Sequence, residues 1–183
     1  MVALACVAPA DADLRRWTPV AAKSEVTFTA SFPLGDFTGR TGELTGEFRA
    51  DPADLRLGVT GNLRVAVAGL RTGISGRDRD MLRAFAAEQY PEIRFTLERV
   101  DASFPSITDR SDVLLTISGV MAIRGVERAM IFPGRARVRD DKLWVRGENE
   151  LRMSEFGIRP PSRFFLDVKD VVRVSFDVTL APE

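Results

Sequence analysis

The sequence predicts an all-β fold in which eight antiparallel strands close into a barrel, with one short helix inserted between strands 3 and 4. Apolar and polar residues alternate in eight separate segments, which is the period of a strand with one buried face. Turn-forming residues such as Asp51-Pro52 and Asp140-Asp141 separate these segments. The 183 residues have the length of one domain. Eight strands form a barrel whose interior is filled or holds one small ligand.

Of the first three predicted strands, the second and the third have glycines within their apolar rows. The rows occupy alternate positions of 26–32, 42–48 and 57–67. Glycine favours the strong bending that barrel closure requires, and we expect these glycines to leave room inside the barrel as well. The inward glycines are Gly42, Gly46 and Gly61.

One segment departs from the strand period and predicts the helix. Ser75 is a candidate N-terminal cap, with Asp78 three residues further on. The helix should end before Pro91, because the residue before a proline disfavours helical geometry. The apolar residues at helical spacing are Met81, Leu82, Phe85 and Ala86.

Five further strands are predicted after the helix. The third of these is ambiguous, since Met130 and Phe132 face one way while Ala129 and Ile131 face the other. Pro133 favours an edge or a bulge there, because proline cannot donate to the strand ladder. The five segments are 93–97, 113–121, 127–138, 143–151 and 172–180.

The composition excludes several classes of function. There is no histidine, so Ser-His-Asp triads and His-ligated metal sites are excluded. Cys6 is the one cysteine, which excludes intrachain disulfides. The 26 basic and 26 acidic residues balance, and this argues against nucleic-acid binding. Glu148 and Glu150 should point to solvent, where carboxylates make poor general acids. We therefore predict no catalytic residue, no metal, no cofactor other than a lipid ligand, and no enzyme activity.

The first 15 residues are interpreted as the remnant of an export signal or as a disordered N-terminus. Ala8-Pro9-Ala10 and Ala10-Asp11-Ala12 both fit a signal-peptidase site, although no positive segment precedes them. We expect the barrel domain to span 16–183 and the protein to be periplasmic or secreted. The sequence contains no run of 18 apolar residues, so it predicts no transmembrane helix.

Short motifs at a particular order and spacing run through residues 16–181, and together they resemble the YceI family. Each motif is weak alone, and the resemblance depends on their succession. The motifs are Trp17, Ser24-x-Val26-x-Phe28, Gly46-x-Phe48, Arg77-Asp78-x-Asp80-Met81-Leu82, Tyr90-Pro91-x-Ile93-x-Phe95, Ser118-Gly119, Arg124-Gly125-Val126, Ser154-x-Phe156-Gly157-Ile158 and Lys169-Asp170-x-Val172.

The resemblance implies a lipocalin-like barrel with a long apolar channel, in a family commonly exported to the bacterial periplasm. It also implies binding of isoprenoid chains, including quinone-type molecules, with no catalytic constellation. Two local departures bear on head-group specificity. Met81 stands where many relatives have a charged or histidine residue, and Phe32-Pro33-Leu34-Gly35 follows the first predicted strand.

Twelve apolar residues are our candidates for the channel lining, although a lining residue and a core residue share one sequence pattern. Met81 and Phe85 could form part of a lid or base, or simply pack the helix on the barrel. Phe156 and Phe164 could form a flap or anchor their loop. The candidates are Phe28, Phe32, Phe48, Leu63, Met81, Phe85, Phe95, Leu97, Ile117, Phe156, Phe164 and Phe176.

The predicted function is to bind and shield a long isoprenoid or quinone-type lipid in a barrel channel. The alternative is an exported interaction or stress-response module with a filled barrel and no ligand. The charged cluster at 77–80 is interpreted either as a head-group site or as a solvated first turn of the helix. The predicted partners include no nucleic acid and no stable membrane span, and pairing into homodimers is left open.

Overall fold

A computed structural model of the chain describes residues 14–51, 54–55, 58–108, 112–160, 162–163 and 166–183. The predictions for the N-terminal segment 1–13, including its export signal, therefore lie outside the described residues. The strands are β1 Arg15–Pro19, β2 Glu25–Phe32, β3 Gly35–Thr41, β4 Leu44–Ala50, β5 Thr60–Ala66, β6 Glu92–Ala102, β7 Val113–Ile123, β8 Val126–Arg139, β9 Lys142–Arg152, β10 Ser162–Arg163, β11 Leu166–Asp167 and β12 Val171–Pro182. The helices are α1 Ser75–Ala84 and the 3-10 turns Ala21–Lys23, Val67–Gly69 and Met153–Phe156.

Ten of these strands form one antiparallel sheet that closes on itself. β1 and β2 together occupy the position of one barrel strand, because both pair with β12 and the 3-10 turn Ala21–Lys23 lies between them. β3 and β4 continue each other in the same way, since they pair with β2 and β1. The ring closes where Trp17 of β1 lies opposite Pro182 of β12. The prediction of an eight-stranded antiparallel barrel with one α-helix is thus confirmed in the described part of the chain.

The structure has two strands near the start of the chain, β1 and β3, that the sequence pattern does not predict. β1 begins at Arg15, one residue before the predicted domain boundary. β3 was not predicted, because its inward positions are Phe37, Gly39 and Thr41, of which one alone is a large apolar residue. Pairing with β2 therefore stabilises β3 more than its own hydrophobic pattern does.

Among the strands after the helix, alternate burial is most regular in β7. Every second residue of β7 from Val113 to Ile123 is buried, as period two predicts. In β8 the ambiguity resolves toward Phe132, which is 2% exposed, whereas Ile131 is 55% exposed. Pro133 pairs with β7, but regular pairing of β8 with β9 begins one residue later at Gly134. Proline therefore lies where one of the two neighbouring ladders has ended.

Helix α1 lies between β5 and β6, where it was predicted, but its cap differs from the prediction. Ile74 is the N-terminal cap and makes no side-chain cap hydrogen bond. Asp78 instead accepts hydrogen bonds from the backbone N–H and the hydroxyl of Thr72, at 2.8 and 2.5 Å. The carboxylate thus joins the first turn of the helix to the residues before it. No helix in the described ranges is long and apolar enough to cross a membrane.

The antiparallel order places α1, the turn at 124–125 and the segment 153–160 at one end of the barrel, here called the helical end. Arg124 contacts the carbonyl of Gly157 there, and the backbone N–H of Lys169 donates to Ser31 at 2.8 Å. At the opposite end, the N–H of Leu55 donates to the carbonyl of Pro105 at 3.1 Å. Loops therefore cross both ends of the barrel.

Candidate ligand-binding cavity

The barrel contains a cavity whose walls are almost wholly apolar. Its volume is about 260 Å³. Each of the eight strand positions of the barrel contributes inward residues to the wall. Among the described residues that line it, Arg77 is the one that carries a charge. The arrangement suits an apolar molecule rather than a polar substrate.

The structure brings nine of the twelve predicted lining residues together around this cavity. Phe32 packs against the core without lining the cavity. Phe156 is fully buried in the 3-10 turn Met153–Phe156 and does not line the cavity. Phe164 lies outside the described residues. The nine are Phe28, Phe48, Leu63, Met81, Phe85, Phe95, Leu97, Ile117 and Phe176.

Sequence reasoning missed a large part of the wall. Phe37 was missed with its whole strand, and Phe132 was left out because its strand was ambiguous. Phe132 stands between two predicted residues, with ring centroids 5.6 Å from those of Phe95 and Phe176 in edge-on geometry. The signal in the sequence that would have found Phe132 is the alternation that places it on the same side of its strand as Met130.

Several inward phenylalanine rings lie against a glycine of a neighbouring strand. Phe28 faces Gly39, its partner in the strand register, and a Cβ on that glycine would overlap the ring. A Cβ at Gly147 would lie 2.8 Å from the ring of Phe176, which is again its partner in register. A ring that occupies the space of a missing side chain lies along the wall. The lumen therefore stays open although its wall is rich in large rings.

The inward glycines act differently from the expectation that they leave empty space. A Cβ at Gly46 would meet the backbone carbonyl of Asn62 and lie 3.2 Å from the Cα of Leu63. At Gly61 it would meet the ring of Phe48 and lie 2.7 Å from the carbonyl of Glu47. These two glycines allow β4 and β5 to approach closely and allow the ring to lie flat. Side chains at either position would strain the barrel rather than block a channel.

One face of α1 closes the helical end of the cavity. Arg77, Met81, Ala84 and Phe85 line the cavity, and their spacing of three and four residues places them on one side of the helix. All four are partly exposed, so this face is half-buried between the cavity and solvent. Met81 and Phe85, predicted either as part of a lid or base or as packing of the helix on the barrel, both lie on this face.

The charged cluster at 77–80 is split between the cavity and solvent. Arg77 borders the cavity, whereas Arg79 and Asp80 are exposed and Asp80 pairs with Arg83 at 3.0 Å. The hydrogen bond from the Thr72 hydroxyl lowers the pKa of the Asp78 carboxyl, and the charges of Arg71 and Arg77 act in the same direction. Asp78 is therefore an ionised structural group.

Trp17, a residue of the cavity wall, carries a polar group. The indole nitrogen of Trp17 is buried and has no hydrogen-bond partner among the described residues. Trp17 itself is 4% exposed and lines the cavity.

The acidic residues considered for catalysis lie outside the cavity wall. Glu148 and Glu150 are exposed, as expected for their position in the strand. In the described ranges no group of three or more His, Cys, Asp or Glu residues could hold a metal ion.

Solved structures of other proteins share this architecture at low sequence identity. BcnA from Burkholderia cenocepacia matches with a TM-score of 0.75 and 16% identity over 88% of this chain and 98% of its own. A polyisoprenoid-binding domain from Saccharophagus degradans, implicated in plant cell wall breakdown, matches with a TM-score of 0.71 and 16% identity over 91% and 98%. The YCEI protein of Campylobacter jejuni matches with a TM-score of 0.64 and 17% identity over 79% and 84%.

The sequence itself carries a family signature over nearly the whole barrel. No curated protein matches the chain. The sequence profile of the YceI-like domain, however, matches residues 17–180, which extend from the first strand of the barrel to the last. The chain therefore belongs to the YceI-like domain family.

Proposed function

We propose that this protein binds a long apolar molecule of the isoprenoid or quinone type inside the barrel and shields it from water. The observation that carries the proposal is the apolar cavity, whose described wall contains one charged residue. The structural similarity to a polyisoprenoid-binding domain supports an isoprenoid as the first candidate.

The size of the cavity supports a ligand rather than a packing defect. Protein interiors contain few voids larger than a water molecule, and an apolar cavity of about 150 Å³ already stays dry and binds benzene. The cavity in this barrel has a volume of about 260 Å³, which is larger than that benzene-binding cavity. This volume weighs against the alternative of a filled barrel with no ligand.

The length of the barrel suits an extended chain. β12 has 12 residues. With a rise of about 3.3 Å per residue and a tilt of about 40°, a strand of this length spans about 30 Å of the barrel axis. Burial of about 400 Å² of tail surface would contribute about 10 kcal/mol before the costs of ordering. Binding of this kind requires neither a nucleophile nor a metal, so we propose a carrier or store rather than an enzyme.

We further propose that the protein is exported. The support is the small apolar segment 1–12 with its two signal-peptidase-like sites. Fractionation of cells that express the natural gene would place the mature chain in the periplasm or medium and give its N-terminus. Recovery of the uncleaved chain from the cytoplasm would contradict export.

Pairing of two chains into a homodimer is a separate question. Light scattering of the purified protein gives its mass in solution and tests whether the homodimer forms.

Native mass spectrometry tests the binding proposal directly. The protein is purified without detergent, its mass is measured intact, and bound material is extracted into organic solvent. We expect the added mass of a long-chain isoprenoid or quinone, or uptake of one when it is added. A chain that carries nothing and refuses added prenyl chains would favour the filled barrel.

A matched pair of variants locates the ligand. Ala84→Phe places a ring on the cavity face of α1 and should reduce uptake, because Ala84 lines the cavity. Ala87→Phe adds the same ring at another half-buried alanine that does not line it. Circular dichroism checks that both variants fold. Equal uptake by the two variants would place the ligand elsewhere.

A further inference from the structure

Arg77 is the charged residue among the described residues of the cavity wall, and the fold holds its guanidinium in a defined place. The group lies over the ring of Phe37 at 4.4 Å from the centroid. Its Nε donates to the hydroxyl of Thr72 at 3.1 Å. Stacking on an aromatic face and a hydrogen bond at Nε fix the plane of the group. Arg77 is thus oriented in advance of any ligand.

The remaining donors of Arg77 are not taken up by the described protein. Its two terminal nitrogens have no hydrogen-bond acceptor there, and no described carboxylate lies within 4.0 Å of them. Asp78 is the adjacent acid, but Thr72 holds its carboxylate by two hydrogen bonds. By contrast Arg83, on the same helix, pairs with Asp80 at 3.0 Å. The guanidinium at the cavity therefore offers an unused pair of donors.

The apolar surface continues directly from this cation. Met81, Ala84 and Phe85 follow Arg77 along the cavity face of α1, and Phe28 lies beside Phe37 with ring centroids 6.4 Å apart. A molecule that lies in the cavity would leave its last atoms at the guanidinium. Because Arg77 is half-buried, its attraction for a negatively charged group at the end of such a molecule would be screened less than in bulk water.

We infer that Arg77 selects ligands whose apolar chain ends in an anionic group, a carboxylate or a phosphate. This inference rests on the proposed binding of an apolar chain and adds the chemistry of its head. A planar guanidinium recognises the paired oxygens of either anion. The chain lies in the cavity, and the anion meets the terminal nitrogens of Arg77 where the cavity reaches solvent.

Three probes with one chain length test the inference at pH 8. They are hexadecanoate, hexadecyl phosphate and methyl hexadecanoate, each delivered from cyclodextrin and measured by isothermal titration. We expect the wild-type protein to bind at least one anion about ten-fold or more tightly than the neutral ester. The two anions distinguish a carboxylate site from a phosphate site.

Two variants assign the preference to the residue. Arg77→Met keeps the length and removes the charge, and we expect it to bind the ester as the wild type does while the preference for the anion disappears. Arg79→Met is the matched control, because Arg79 is exposed on the same helix, and it should keep the preference. If Arg77→Met fails to fold by circular dichroism, Arg77→Gln serves the same purpose.

The outcomes separate this inference from the proposed function. Equal affinity of the wild type for ester and anions, or a preference that survives in Arg77→Met, would overturn the inference and leave chain binding in place. Failure of all three probes and of added prenyl chains would overturn the proposed function, and the role of Arg77 with it.

Discussion

The ring of Phe176 lies against Gly147, its cross-strand partner in β9. A Cβ at that glycine would lie 2.8 Å from the ring and 3.0 Å from the carbonyl oxygen of Pro133. The missing side chain accommodates the aromatic one, so a large residue lies along the wall and the lumen stays open. Phe28 and Gly39 repeat the relationship on another pair of strands.

Gly147→Ala should therefore destabilise the barrel and narrow its cavity. The added methyl meets the ring on one side and a backbone oxygen on the other, so the ring must shift toward the lumen. Overpacking of this kind costs about 1–3 kcal/mol. Urea unfolding measures the free energy of unfolding, and a binding assay measures uptake of a prenyl chain. We expect the free energy of unfolding and the uptake both to be lower in Gly147→Ala than in the wild type.

The matched control uses the same substitution at an open position. Nothing lies within 4 Å of a Cβ at Gly76, in the first turn of α1. Gly76→Ala should stabilise the protein by up to about 1 kcal/mol, because alanine loses less conformational freedom in a helix. Equal stability of the two alanine variants would show that the glycine at 147 is not needed by the ring.

Phe132→Ala should be among the most damaging single changes. The side chain is 2% exposed and makes edge-on contacts with Phe95 and Phe176. Truncation of a buried phenylalanine costs about 3–5 kcal/mol, partly through the cavity that it leaves. Phe104→Ala is the control, because Phe104 is 63% exposed, and it should change the stability by less than about 0.5 kcal/mol. Thermal or urea unfolding measures both, and similar losses would contradict the assignment of Phe132 to the wall.

Much of this fold follows from a period of two in the sequence. Phe28 and Phe95 face inward as their alternation predicts, and the helical spacing of Met81 and Phe85 places α1 between the correct strands. β3 was not predicted because Phe37 is its one large apolar residue, and its pairing with β2 decides its structure. Local pattern fails where neighbouring strands supply the stability.

The candidate site was harder to predict than the fold, for two physical reasons. A residue that lines a cavity and one that fills a core have the same periodicity, so the cavity beside Ile117 and Phe176 could not be read from their spacing. The role of Gly147 depends on the register that sets it opposite Phe176, and the register is a property of paired strands. The contact of Arg77 with Phe37 likewise joins two segments that are distant in sequence.

The link between Thr72 and Asp78 predicts a pH-dependent contribution to stability. The hydrogen bond from the Thr72 hydroxyl lowers the pKa of the Asp78 carboxyl below its ordinary value of 3.8. A group whose pKa is lowered by folding stabilises the native state fully above the ordinary pKa, and this contribution is lost as the pH falls through the lowered value. Thr72→Val should therefore be less stable than the wild type at pH 7, with a difference that shrinks below pH 3.8.

Urea unfolding of both proteins between pH 7 and the lowest pH at which they fold measures this difference. Thr72→Ser keeps the hydroxyl and should follow the wild-type profile. A gap between wild type and Thr72→Val that is constant with pH would show that the hydroxyl stabilises the turn without acting through the carboxylate.

Ligand binding should stabilise the protein by mass action and carry the heat-capacity change of apolar burial. A ligand at 100 times its dissociation constant adds about 2.7 kcal/mol to the free energy of unfolding, so the melting temperature should rise with the concentration of an added prenyl chain. Calorimetry at several temperatures should give a negative heat-capacity change. The rise should be smaller in Ala84→Phe than in Ala87→Phe, since only the first ring enters the cavity. A rise of equal size in both variants, or a heat-capacity change near zero, would mean that the chain adsorbs to the surface and does not enter the barrel.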